Sequence, residues 1–192
     1  MFNIGIDLGG TKTEGVVLKN GTEICRKRVP TERDNGYEKI MDKIADLYRE
    51  LAAETGGASC TFGIGTPGAI SRKSGMIKNS NTVCLNGKPF YEDLRARVNR
   101  DFRMQNDANC FAMAEALHGA GKGRELVFGV IMGTGCGGGI VYRQNVLEGL
   151  QNISGEWGHM SVDPDGVECY CGRKGCVETL ISGGGLESKY KR

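Results

Sequence analysis

Apolar side chains at Phe2, Ile4, Ile6 and Leu8 alternate with Asn3, Gly5 and Asp7, a period of two that predicts a strand running into Gly9-Gly10-Thr11. Gly15-Val16-Val17-Leu18, the turn Asn20-Gly21 and Ile24-Cys25 read as a hairpin. From Tyr37 to Glu54 the spacing changes: Ile40, Ile44, Leu47 and Leu51 recur as one face of a helix that stops at Gly56-Gly57. Cys60 to Gly65 is a short apolar strand ending in the turn Thr66-Pro67-Gly68. Leu94, Val98 and Phe102 mark a second helix, Phe102 to Gln105 a short strand, and the Ala-rich stretch from Ala108 to His118 a third helix. Leu126 to Met132 is the next buried strand, followed by the glycine-rich run Gly133 to Gly139. Strands alternating with helices argue for an α/β fold.

The pattern repeats within the chain. Under a shift of 124 residues, Gly5, Gly9, Gly15 and Val17 fall on Gly129, Gly133, Gly139 and Val141 without a gap. The same strand, glycine turn and strand therefore open each half. Two related lobes meeting at a cleft are expected, residues 1–118 and 119–192, with the boundary near Gly119-Ala120-Gly121.

Composition narrows the field. There are 31 glycines but only 4 prolines in 192 residues, and no collagen-like period, so the chain is globular and rich in tight turns. Lys and Arg number 25 against 23 Asp and Glu, a net charge of +2, which gives no electrostatic case for nucleic acid or an anionic membrane. No apolar run approaches the ~20 residues that span a bilayer, and Met1 to Gly5 shows no basic leader. A cytoplasmic protein is expected.

Each glycine turn can serve a phosphate, because backbone N–H groups without an intervening Cβ converge on an anion, and Thr11 adds a hydroxyl. Either turn alone is equally a structural hairpin; two matching turns can clamp a polyphosphate. Asp7, at the end of a buried strand beside the first turn, stands where Mg²⁺ must be held, and Lys12 can meet phosphate charge. Neither turn has the spacing of a P-loop or a dinucleotide fingerprint. Asp107, in Asn106-Asp107-Ala108-Asn109, suits the N-cap of the Ala-rich helix and is also a carboxylate base of the kind a kinase needs; the two roles are compatible.

The eight cysteines divide into two sets. Cys25, Cys60, Cys84, Cys110 and Cys136 are scattered, and core filling is expected for them. Cys169, Cys171 and Cys176 lie close together, with nine residues separating His159 from Cys169. Three thiolates and one imidazole make a complete tetrahedral set for a structural zinc ion, with Gly172 and Gly175 to turn the loop. A disulfide would leave one cysteine over and is not expected in the cytoplasm. Such a closed site organises a loop and has no open position to activate water. Glu156 and Glu178 bracket the ligands, and the metal would fix both.

Taken together these residues resemble the ROK family of sugar kinases and repressors, from Ile4 to about Gly185. The resemblance rests on Asp7 to Lys12, Gly65-Thr66-Pro67-Gly68, Asn106 to Cys110, Gly133-Thr134-Gly135, Gly155 to His159 and Cys169 to Glu178. It implies an actin-like ATPase (ribonuclease H-like) α/β fold, two lobes with a cleft that closes on ATP and a hexose. It further implies that Asp107 is the general base, and that Gly9, Gly10, Thr11 and Lys12 with Gly133, Thr134 and Gly135 hold ATP, with Mg²⁺ near Asp7. Gly68, Asn81, Asn106, Asp107, Glu156, His159 and Glu178 match sugar-binding positions, His159 turning one ring nitrogen to zinc and the other to the sugar.

Within the family, Ile4 to Glu14, Leu85 to Phe90 and Cys169 to Glu178 are similar to bacterial fructokinases, which implies fructose 6-phosphate as the product. N-acetylglucosamine or glucose kinases share the catalytic positions, and a non-catalytic sugar-binding regulatory protein is the alternative outside catalysis. A saturated zinc site speaks against a zinc-dependent hydrolase. The repressors carry a DNA-binding domain before the first strand, whereas Met1 here leads straight into it, so no nucleic-acid partner is expected. Leu186 to Arg192 reads as mid-helix, so the second lobe is expected to be incomplete, lacking the part that cups adenosine in the family. A homodimer is the assembly left open.

Overall fold

The computed structural model describes residues 1–191, which form two units, residues 1–107 and 108–191. In unit 1 the alternating start of the chain forms β1 (Phe2–Leu8), which pairs antiparallel with β2 (Lys12–Lys19), itself paired with β3 (Thr22–Pro30). β4 (Cys60–Thr66) lies parallel to β1 and β7 (Arg103–Asn106) parallel to β4, giving a five-stranded sheet in the order β3-β2-β1-β4-β7. β5 (Ala69–Ile70) and β6 (Ile77–Lys78) form a small separate ribbon.

Helix α1 (Tyr37–Ala53) carries the apolar face that the spacing predicts: Ile40, Ile44, Leu47 and Leu51 are all buried, together with Met41, against Ile4, Ile6, Leu8, Val17, Phe62 and Ile64. Each such side chain contributes about 1.5–3 kcal/mol on leaving water. Gly15 allows the helix onto the sheet, since a Cβ there would come within 2.4 Å of Leu51 Cδ1. Gly56 and Gly57, both left-handed (φ 63° and 82°), carry the chain away after the helix.

The second helix, α2 (Phe90–Val98), ends before Phe102, contrary to the spacing reading. Asn99 adopts φ 50° at its C-cap, and Phe102 instead stacks on Phe62 and Tyr91, with ring centroids 5.2 and 4.7 Å apart. Its apolar period continued by coincidence with the core.

Unit 2 contains all but the first residue of α3 (Asp107–Leu117), then β8 (Leu126–Met132), β9 (Cys136–Tyr142) and β10 (Asn145–Val146), the strands pairing antiparallel in the order β10-β9-β8. α3 spans Asp107–Leu117, so Asp107 is its first helical residue. Its Ala112 and Ala116 pack on Val141, Val127 and Val146. Gly129 and Gly139 keep that contact close, because a Cβ on either would lie 2.8–2.9 Å from Ala112. This packing explains why the division falls at Asp107/Ala108, one helix ahead of the expected boundary at 118/119. A long loop then leads to α4 (Val177–Ile181) and α5 (Gly183–Tyr190).

The repeat is visible in the strands. In each unit a hairpin joined by a glycine turn is followed by a third antiparallel strand on the same side. The pairing nevertheless differs by one residue. Leu8 faces Thr13 across the first turn, while Met132 faces Cys136 across the second. Accordingly Gly9 N–H donates to Lys12 O (3.0 Å) in the first, and Gly133 N–H to Gly135 O (2.9 Å) in the tighter second.

Of the scattered cysteines only Cys136 is fully buried; Cys25, Cys60 and Cys84 are half-buried. Cys110 corrects the core-filling expectation, since it is exposed on α3. Among the described residues, no helix is long and apolar enough to cross a membrane.

Candidate functional site

In unit 1 the candidate residues gather at one edge for a topological reason. β1, β4 and β7 are parallel, so Asp7 and the turn Gly9–Lys12, the turn after Thr66, and Asn106-Asp107 all lie at or just beyond the carboxyl ends of neighbouring strands. Ligands of open α/β sheets bind at that edge.

Gly9 cannot be replaced cheaply, since its Cβ would lie 2.7 Å from Lys12 O. Thr31, itself buried, secures the turn from behind: its N–H donates to Thr11 O (3.0 Å) and its hydroxyl to Gly9 O (2.7 Å). The Thr13 hydroxyl donates in turn to Thr31 Oγ1 at 3.0 Å. Thr11 and Lys12 are exposed at the tip.

Asp7 lies opposite Glu14 on β2. By surface area it is exposed, yet lost hydration at the strand end raises its carboxyl pKa above the usual 3.8. Glu14 pushes in the same direction and Lys12 opposes. A carboxylate destabilised in this way gains from a nearby cation.

Gly68 has φ +81° and sits flush on the next segment, a Cβ there lying 2.6 Å from Lys78 O. Its carbonyl accepts from Asn106 Nδ2 at 3.0 Å, which ties the end of β7 to the turn after β4. Asn81 is exposed beside buried Ser80 and Thr82, and the Thr82 hydroxyl donates to Asn81 Oδ1 at 3.5 Å. Asp107 is exposed at the start of α3, where a helix N-terminus favours its negative charge. The structure thus brings Asn106 to Gly68 and sets Asp107, Asp7 and the first turn on one sheet edge.

In unit 2 the second turn is braced differently. Glu178 Oε2 accepts from the N–H of Cys136 at 2.8 Å, and Gly133 O and Thr134 O accept from Gly183 N–H (2.8 Å) and Gly184 N–H (3.2 Å). Gly135 makes room for the Glu178 carboxylate, since a Cβ would fall 2.6 Å from Oε2. Glu156 is exposed just before the short helical turn Trp157–His159, whose Trp157 Nε1 donates to Gly137 O at 2.6 Å.

That turn also delivers His159 to the cysteines. One ligand atom from each of His159, Cys169, Cys171 and Cys176 lies within 4.8 Å of all the others. Cys169 Sγ is 3.6 Å from His159 Nδ1, and Cys171 Sγ is 3.6 Å from Cys176 Sγ. A zinc tetrahedron with bonds of about 2.3 Å to sulfur and 2.0–2.1 Å to nitrogen has edges of roughly 3.6–3.8 Å, so the donor set fits such an ion. Burial pushes the thiol of Cys176 up to about 12, and its hydrogen bond with Cys171 adds to the shift. Burial also opposes ionisation of Cys171, but hydrogen bonds, first from the Arg173 backbone, bring it down to about 6. Nδ1 is the ring nitrogen beside Cys169, and Nε2 lies 3.0 Å from the Tyr170 hydroxyl. Tyr170 was not singled out by the sequence. It occupies the ring nitrogen that the resemblance would turn toward a sugar.

Known proteins agree with this architecture. The chain is 38% identical over 198 residues to an N-acetyl-D-glucosamine kinase of Pectobacterium atrosepticum, covering 97% of this chain and 64% of that protein. An Escherichia coli protein of the same name matches at 38%, with 97% and 65% covered. Among solved structures, a ROK hexokinase from Thermus thermophilus superposes with a TM-score of 0.81 at 33% identity, over 100% of this chain and 63% of that one. A ROK family glucokinase from Streptomyces griseus, in complex with glucose and AMPPNP, gives 0.83 at 31%, over 97% and 59%. The chain therefore spans a little under two thirds of the length of the curated relatives it matches. Its α/β architecture is that of the actin-like ATPase (ribonuclease H-like) fold. The ROK family model matches residues 3–192, and the chain belongs to the ROK family.

Proposed function

We propose that the protein is an ATP-dependent hexose kinase. The observation that carries the reading is the edge of unit 1, where a glycine turn suited to phosphate, an Asp beside it and Asp107 follow parallel strands. In this reading Asp107 takes the proton from a sugar hydroxyl and the freed oxygen attacks the γ-phosphorus. The bond from that phosphorus to the bridging oxygen breaks, and ADP leaves with the electron pair. Gly9, Gly10, Thr11 and Lys12 in unit 1, and Gly133, Thr134 and Gly135 in unit 2, are assigned to ATP phosphates. Gly68, Asn81 and Asn106 in unit 1, and Glu156 and Glu178 in unit 2, are assigned to sugar hydroxyls. For His159 the metal role through Nδ1 is the supported one, because Tyr170 holds Nε2.

Mg²⁺, for which Asp7 is the candidate carboxylate, would neutralise phosphate charge. Zinc is assigned to His159, Cys169, Cys171 and Cys176 as a structural ion, supported by the spacing of the four donors. The domain roles follow the two units, with the base and the first turn in unit 1 and the second turn and metal loop in unit 2.

N-acetylglucosamine is the first acceptor we assign, supported by the names of the curated relatives. Fructose is the second reading, favoured by the stretches Ile4 to Glu14 and Leu85 to Phe90. A coupled assay of ADP release with Mg-ATP over N-acetylglucosamine, fructose, glucose and mannose tests both. Turnover on either sugar, lost by about 10²–10⁴-fold in Asp107→Asn with sugar binding retained, is the expected outcome. Sugar binding without ADP release from any member of the panel would instead favour the sugar-binding regulatory protein.

A further inference from the structure

Arg33 has no place in the roles above, yet it stands at the first glycine turn. A Cβ built on Gly10 would lie 3.5 Å from Arg33 Nη1 and 3.7 Å from Thr82 Oγ1, so the guanidinium and the segment that carries Asn81 each border the turn. Its backbone is fixed on each side. Thr31 is bonded to Gly9 and Thr11, and Glu32, in the left-handed region at φ 53°, folds the chain back. The Glu32 carboxylate is held by Lys43 Nζ at 2.5 Å and by Asn35 Nδ2 at 3.1 Å. The Cys84 thiol contacts Arg33 O at 3.8 Å. A left-handed, non-glycine residue costs energy and persists where its surroundings over-determine it.

All this order serves a side chain whose charge is left available. Arg33 is half exposed, and among the described residues its one ion pair is a 3.9 Å contact with the fully exposed Asp34. Three other arginines of unit 1 are engaged more closely: Arg26 and Arg28 with Glu14, and Arg95 with Asp101 at 2.6 Å. A planar guanidinium with five donors is suited to bidentate contact with phosphoryl oxygens.

We propose that Arg33 is a phosphate-contacting residue of the first turn, holding the terminal phosphoryl group as it passes to the sugar. The proposal rests on the kinase reading for its role in turnover, and on the turn geometry alone for phosphate contact. It assigns to unit 1 a second cation, beside Lys12, at the phosphate turn.

The test compares Arg33→Gln and Arg33→Lys with the parent chain by two independent readouts. The first is kcat and KM in the ADP-release assay; the second is the affinity for inorganic tripolyphosphate by calorimetry, with thermal unfolding recorded to confirm the fold. Arg33→Gln is expected to lower kcat and tripolyphosphate affinity each by about 10- to 100-fold, with sugar KM within about twofold and part of the loss recovered in Arg33→Lys. Unchanged kcat and unchanged tripolyphosphate affinity in a folded Arg33→Gln protein would overturn the proposal. If the parent chain turns over no sugar, the kinase reading fails separately and calorimetry decides Arg33. Weaker binding in Arg33→Gln supports phosphate contact; equal affinity, or none in the parent, overturns it.

Discussion

The two glycine turns share a sequence pattern but are held by different chemistry. In unit 1 the turn is secured by neutral hydroxyls at the end of the sheet: Thr31 bonds Gly9 O, and Thr13 bonds Thr31. In unit 2 a carboxylate does the work, Glu178 accepting from Cys136 N–H, and Gly183 and Gly184 reach the turn from the start of α5. Glu178 lies two residues beyond Cys176, one of the four candidate metal ligands. The difference teaches that duplicated hairpins need not share a support. The first turn stands on its own unit's core, and the second depends on a loop that has little apolar core of its own and must be ordered some other way.

The largest effect should therefore come from the metal site. Removing metal with a strong chelator, or substituting Cys176→Ser, is expected to raise amide hydrogen exchange across residues 133–136 and 159–178 by about 100-fold or more, because a structural metal supplies the order of its loop. Exchange across residues 9–13 should stay as it was. Equal protection of both turns after metal removal would show that Glu178 is positioned without the metal, and the contrast between the units would disappear.

Smaller changes act on one brace at a time. Glu178→Ala leaves the N–H of buried Cys136 without its partner, a loss of about 1–3 kcal/mol, and should loosen the second turn alone. Glu178→Gln keeps an acceptor and should recover part of it. Thr31→Val preserves shape while removing the hydroxyl that serves Gly9 and Thr13, and should cost about 1–2 kcal/mol, read as a lower denaturation midpoint with increased exchange at residues 9–13. If Thr31→Val instead loosened residues 133–136, the two braces would not be separate devices.

Much of this was legible in the sequence wherever one period dominates. β1 and α1 show clean apolar repeats and fall where the pattern places them, and the His159 and cysteine spacing marks the donor set that the fold assembles. β8 lies at its expected residues but corrects the expectation of a buried strand, since its continuous apolar run leaves Leu126, Phe128, Val130 and Met132 exposed. Local pattern failed where long-range packing decided. Phe102 continued the helical spacing but is drawn into the aromatic stack with Phe62 and Tyr91. The one-residue difference between the hairpins is invisible to an ungapped comparison, because pairing depends on how each turn closes. Arg33 gave no signal either: it is 23 residues from Gly10 in the chain, and the antiparallel return of β3 along β2, which sets Pro30 opposite Lys12, brings it back to the turn.

The smallest effect concerns Asp7, and its sign follows from the direction of its shift. The fold raises the Asp7 pKa above 3.8, so near neutral pH the folded protein holds a carboxylate that would be better hydrated in the unfolded chain. The charged form opposes folding above the folded-state pKa, and the penalty fades as pH falls and both states bind the proton. Asp7→Asn should accordingly raise Tm by about 1–2 °C at pH 7, a modest figure because the group is reached by solvent, with no difference near pH 3. Millimolar Mg²⁺ should close the gap by raising the Tm of the parent chain and not that of Asp7→Asn, since the cation relieves the same cost. A Tm for Asp7→Asn below that of the parent at pH 7 without Mg²⁺ would show that the Asp7 carboxylate contributes contacts outweighing its lost hydration. A gap that Mg²⁺ leaves untouched would remove Asp7 as the candidate carboxylate for that ion.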